Sequence, residues 1–145
     1  MKKIRSMLLA VATTSAVLIL TLLLSTASAA AVAVEFNRAV ASGPPPQTTT
    51  CASTTGALAC YYQASDTWYV QDTAADGASA EARWENYRNG VLYRSGICRN
   101  SLGNGNWGAC NKNYYEDSTL WWRACVYNGS AGTLVRCSGW VSSPA

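Results

Sequence analysis

Hydrophobic and polar positions divide the chain into two regimes. Met7 to Leu24 is an apolar run broken only by Thr and Ser. Beyond Cys51, short Tyr-, Trp- and Val-containing stretches are separated by turn residues at intervals of about eight to twelve positions. That second pattern predicts an all-β domain. It is clearest from Ser79 to Tyr87, where Ala80, Ala82 and Trp84 alternate with Glu81, Arg83 and Glu85. A period of two predicts a strand with Trp84 inward and the three charges on a solvated face. A helix would set Glu81 and Glu85 four apart on one side, where they repel.

Asn89-Gly90 follows as a type I′ hairpin signal. A two-residue turn there pairs Arg88 with Val91, Tyr87 with Leu92 and Glu85 with Arg94. It places Trp84, Ala82, Tyr93 and Ile97 on the inner face. Cys51 to Cys60, Cys98 to Cys110 and Cys125 to Cys137 enclose further glycine-containing turns, the latter two with equal separations of 12. Local pairing 51–60, 98–110 and 125–137 is favoured, each bridge stapling the arms of a hairpin. The alternative is that bridges cross between sheets. Stapling Cys125 to Cys137 puts Trp122 opposite Trp140, on one face with Leu120 and Val126. No stretch beyond the leader has amphipathic helical periodicity. The expected fold is a small, disulfide-stapled antiparallel β-sandwich or barrel of about six to eight strands.

The leader has a basic start in Lys2, Lys3 and Arg5, an apolar core, and small residues at Ala27-Ser28-Ala29. This is the pattern of a signal peptide over residues 1–29, with a second cleavage point after Ala31 and a membrane anchor as the competing reading. Export to an oxidising space suits the six cysteines. Residues 30–50 read as a flexible mature N-terminus and linker. Their first part is compatible with a strand or a loose end, and Pro44-Pro45-Pro46 with Thr48 to Thr50 favours extended chain. Residues 51–145 are the expected β domain.

Charge and chemistry then narrow the function. The net charge of +3 resides in the leader, and the remainder carries eight basic and eight acidic residues. Nucleic-acid binding and, after signal cleavage, membrane attachment have no electrostatic basis. There is no histidine, which removes the commonest general base and most transition-metal chemistry. Oxidised cysteines leave no thiolate. No metal or cofactor is expected. Asp72 to Gly77 lacks the ligand alternation of a calcium loop and reads as a turn. Asn128-Gly129-Ser130 matches a glycosylation sequon.

Aromatics are the one positive hint. Six Trp and eight Tyr stand beyond Cys51 against eleven Val, Leu and Ile. Most of them, Trp84, Trp122 and Trp140 above all, are expected to fill a core poor in aliphatics. Adjacent pairs on a strand point to opposite faces, so one member of each is outside. Trp107, Tyr114, Tyr115 and Trp121 are the candidate binding residues. The run from Asp72 to Ala80, with Cys98-Arg99-Asn100, Cys110-Asn111, Trp122 to Cys125 and Val135 to Val141, resembles small exported actinobacterial proteins. Many of those have no assigned activity and some are labelled spore-associated. The resemblance spans residues 60–141 and implies a secreted β domain without transferring an active residue. The expected function is a secreted, non-enzymatic binding or cell-surface module for polysaccharide, cell envelope or another secreted protein. Two alternatives stand beside it. One is a protease inhibitor presenting Arg99 and Leu102 on the Cys98–Cys110 loop. The other is a glycoside hydrolase using two of the carboxylates.

Overall fold

Eleven strands lie in two packed sheets in the computed structural model, which describes residues 31–145. The leader expected over residues 1–29 falls outside the described residues. The strands are β1 (Val34–Arg38), β2 (Val40–Ser42), β3 (Thr50–Thr54), β4 (Ala57–Tyr62), β5 (Thr67–Asp72) and β6 (Ser79–Arg88). They continue with β7 (Val91–Asn100), β8 (Trp107–Asn111), β9 (Thr119–Asn128), β10 (Thr133–Cys137) and β11 (Val141–Pro144). The larger sheet has the order β1-β7-β6-β9-β10, with β11 also paired to β9; the smaller has the order β2-β8-β5-β4-β3. All pairings are antiparallel except that of β1 with β7. The fold is thus a β-sandwich, as the period-two pattern predicts. No helix among the described residues is long and apolar enough to cross a membrane.

The inner faces meet through aromatic rings. Trp68 from the smaller sheet stacks parallel to Trp84 at 6.5 Å and meets Trp122 edge-on at 5.4 Å. Tyr61 and Tyr114 close the cluster against Trp68 and Trp84. Alanines at positions 57, 59, 80, 82 and 124 are fully buried between the rings. Small and large residues interdigitate, so a core poor in aliphatics still packs tightly. Gly96 belongs to this arrangement. A Cβ there would collide with the Trp84 ring and stand 2.8 Å from the Glu35 carbonyl.

The three disulfides join Cys51 to Cys60, Cys98 to Cys110 and Cys125 to Cys137, the favoured pairing. Two are staples between directly opposed residues of β3/β4 and β9/β10, with Cα–Cα distances of 4.0 and 4.1 Å. The third departs from expectation. Cys98 lies on β7 and Cys110 on β8, strands of different sheets, so this bridge crosses the sandwich at a Cα–Cα distance of 6.0 Å. Equal sequence spacing therefore conceals two geometries.

Other expectations are corrected. The linker placed at 30–50 contains β1 and β2, so the sandwich begins well before Cys51. The chain steps between the sheets at Ala39, whose N–H donates to the Arg99 carbonyl. The proline stretch then connects β2 and β3, opposite edges of the smaller sheet, a span that suits extended chain. The Asn89-Gly90 turn has positive φ at both residues, and Arg88–Val91 and Tyr87–Leu92 pair as expected. A bulge at Tyr93 then shifts the register, so Glu85 faces Ser95 and Arg94 faces Asn86. A one-residue slip moves side chains to the other face. Tyr93 becomes exposed, Ile97 joins the Arg83 side, and Cys98 takes the inner position opposite Ala82.

That bulge turns Arg94 toward Glu35 of β1. Glu35 accepts from Arg94 Nε at 2.7 Å and from Lys112 Nζ at 2.8 Å, and Lys112 also donates to Asn37. The guanidinium of Arg94, aided by the Lys112 ammonium, lowers the Glu35 carboxyl from 4.5 to about 2. A carboxyl depressed in the folded state stabilises above its unfolded value, and that contribution is lost as pH falls from 4.5 toward about 2. Because the Glu35 side chain is 35% exposed, solvent screening reduces its contribution to about 1 kcal/mol. Melting curves between pH 6 and roughly 2 should therefore show a smaller acid-induced fall in Tm for Glu35→Gln than for the parent. Parallel curves would remove Glu35 from the acid response.

Candidate functional site

The strands that bury Trp84 and Trp122 present the intervening residues on the outer face of the larger sheet. Cross-strand pairs set Arg83 opposite Arg123, Glu85 opposite Trp121 and Tyr87 opposite Thr119. Trp140 precedes β11 and joins them. It was expected in the core opposite Trp122. The structure instead pairs Val141 with Trp122 and leaves Trp140 43% exposed, with the Arg123 guanidinium 4.5 Å from its ring centre. The Cys125–Cys137 pair is in the expected register, and the one-residue shift arises between it and β11, in the break in pairing after Cys137.

Two depressions adjoin on this face. One, of about 290 Å³, is lined by Glu85, Tyr87, Trp121 and Trp140. The other, of about 150 Å³, shares Glu85 and Trp140 and continues to Arg83, Arg123, Ile97 and Val34. Trp121 is 45% exposed, and among the described residues no aromatic ring or cation packs on it. The Tyr87 hydroxyl donates to Glu85 Oε2 at 2.7 Å. That bond raises the Tyr87 pKa, keeping the phenol protonated and the carboxylate oriented. Glu85 retains a second oxygen as an acceptor. The surface thus offers flat apolar rings beside fixed hydrogen-bonding groups, the combination that holds a ring with an apolar face and polar edges.

The four sequence candidates do not converge. Trp121 is in the depression just described. Tyr114 is buried, against expectation: its hydroxyl accepts from Trp68 Nε1 at 2.9 Å, and its backbone N–H donates to Asp66 Oδ2. The segment around it is not a strand, so the opposite-face rule does not govern it, and Tyr115 is the exposed member of the pair. Tyr115 is 47% exposed, yet Arg88 lies 3.9 Å from its ring centre and Tyr93 meets it edge-on. Trp107 is on the other sheet, paired with Gln71 and Ser42, and only partly exposed. Trp140, Glu85, Tyr87 and Arg123 were missed as site residues. Period-two counting puts Glu85, Tyr87, Trp121 and Arg123 outside, but only the sheet order shows that β6 and β9 are neighbours.

The geometry also bears on the alternatives. Glu81, expected on a wet face, is fully buried, and its two oxygens accept from Arg83 Nε and Arg99 Nε, each at 2.6 Å. A carboxylate so engaged cannot pair with Glu85 for acid–base work on a bound water. Arg99 is likewise held, 3.6 Å from the Tyr127 ring centre, rather than presented by the Cys98–Cys110 loop. That loop is anchored by Asn100, fully buried, whose Nδ2 donates to the Val70 and Asn106 carbonyls. Asp72 and Asp76 each accept from a backbone N–H two residues on, the geometry of Asx turns. Among the described residues no group of three or more His, Cys, Asp or Glu side chains is placed to hold a metal.

No family model matches this chain, and none of the curated proteins or solved structures matches it.

Proposed function

We propose that this protein is a secreted, non-enzymatic module that binds polysaccharide across the outer face of its larger sheet. The supporting observation is the pair of exposed tryptophans, Trp121 and Trp140, lining one depression with Glu85 and Tyr87. Sugar rings present C–H faces that pack on indole, while their hydroxyls bond to a fixed carboxylate and phenol. Shallow, open ground suits a chain that runs past its reader rather than a ligand enclosed by it. The three disulfides fit life in an oxidising space outside the cell.

Retention on insoluble glycans, followed by titration with soluble fragments of whichever is bound, tests the proposal. Trp121→Ala and Trp140→Ala should each weaken binding roughly tenfold, about 1.4 kcal/mol. Both side chains are substantially exposed, so the melting temperature should hardly move. Glycan binding that is indifferent to both substitutions would sink this face as the site. Absence of binding to any glycan would sink the reading itself.

A further inference from the structure

We infer that Arg123 is an anchor for a carboxylate, and that the polysaccharide taken at this face is a polyuronate. The inference rests on the polysaccharide reading and names its substrate class. Its starting point is a cation without a partner. Arg88 and Arg94 are paired with carboxylates, Arg83 and Arg99 share Glu81, Arg136 donates to the Thr55 carbonyl, and Arg38, unpaired among the described residues, is exposed to solvent. Arg123 makes no side-chain hydrogen bond among the described residues, and its Nε is buried without an acceptor. A polar group withdrawn from water and left unmatched is destabilising.

Its surroundings sharpen the point. Arg83 stands directly opposite Arg123 on the neighbouring strand, and like charges so placed are unfavourable. The nearest acids do not compensate: Glu81 is saturated, and Glu85 is bonded by Tyr87 rather than by Arg123. Four arginines, Arg38, Arg83, Arg99 and Arg123, therefore share this outer face with two carboxylates, neither of which engages Arg123. A single anion arriving in the depression would relieve the repulsion.

The kind of anion follows from shape. Trp140 backs the guanidinium, which limits its orientation. A guanidinium donates through a flat fork that matches a planar carboxylate. A uronic acid carries its carboxylate at the ring edge, leaving the ring face to stack on Trp121 while the carboxylate turns toward Arg123. Glu85 in the same depression repels densely charged chains, so one carboxylate per ring is favoured over polysulfate.

Titrating the oxidised protein with oligomers of polygalacturonate, their full methyl esters and an uncharged glucan decides the matter. At low salt the free acid should bind at least tenfold tighter than the ester. Arg123→Gln should abolish that preference while binding of the ester persists. Arg123→Lys, which keeps the charge but loses the fork, should retain only part of it. Arg38→Gln, an exposed charge on β1 of the same sheet, should change nothing. Equal affinity for acid and ester, a preference that survives Arg123→Gln, or tighter binding of a sulfated glycan would overturn the inference while leaving the polysaccharide reading intact. Failure to bind any of these glycans or any insoluble one would overturn both.

Discussion

Reduction of all three disulfides is expected to unfold the sandwich at room temperature. The bridges close loops with sequence separations of 9, 12 and 12, each contributing roughly 2.5 to 3 kcal/mol through restriction of the unfolded chain. Together they amount to about 8 kcal/mol, against a typical domain stability of about 5 to 15. Near-UV circular dichroism should report the loss, because Trp68, Trp84 and Trp122 are packed edge and face in one cluster. Collapse of that signal in reductant without denaturant is the expected result, and a native spectrum after complete reduction would contradict it. Among single bridges, removing Cys98–Cys110 as a double Ala variant should cost most. The other two tie strands already paired by backbone hydrogen bonds, whereas this one joins the two sheets.

Trp68→Ala is the second large effect. Trp68 is fully buried at the centre of the sandwich, in contact with Tyr61, Trp84 and Trp122. Truncating a buried tryptophan removes its burial energy and leaves a cavity, a cost of about 3 to 5 kcal/mol. The lost indole also deprives the buried Tyr114 hydroxyl of its donor, which adds about 1 kcal/mol or more. Denaturant unfolding should show a midpoint far below the parent, or no folded protein. Trp68→Phe separates the two terms, since it keeps a ring and removes the donor. A loss with Phe as large as with Ala would make the hydrogen bond dominant and the packing argument wrong.

Much of the architecture was legible because it depends on local chemistry. The alternation at Ser79–Tyr87 and the Asn89-Gly90 turn are short-range signals, and both survive in β6 and its hairpin. Cysteine spacing anticipated the pairing because a short loop brings its own ends together. The errors share one cause. Glu81 was assigned to water by its charge, yet Arg99 arrives from a neighbouring strand to bury it. Tyr93 and Ile97 were misplaced by a single-residue bulge and Trp140 by a one-residue shift between Cys137 and β11, which no pattern in the flanking residues announces and which invert a face.

The candidate site was only partly visible for the same reason. Trp121 could be placed outside by its adjacency to Trp122, since neighbours on a strand point oppositely. Nothing local shows that Trp140 would stand beside it, or that Arg123 would lie between Trp140 and Arg83 without an acid of its own. Those relations require the order of strands in the sheet and the exact count of residues between Cys137 and β11.

The all-β class, an aromatic-rich core and the lack of histidine chemistry follow from composition and from contacts between residues close along the chain, which also favour, without fixing, the local pairing of the cysteines. The tertiary structure alone decided that residues 34–42 belong to the sandwich, that Cys98–Cys110 spans it, and which aromatic and charged side chains share its outer face. Those outcomes depend on long-range strand pairing and on which carboxylate each arginine reaches, and neither is encoded in any short stretch of the chain.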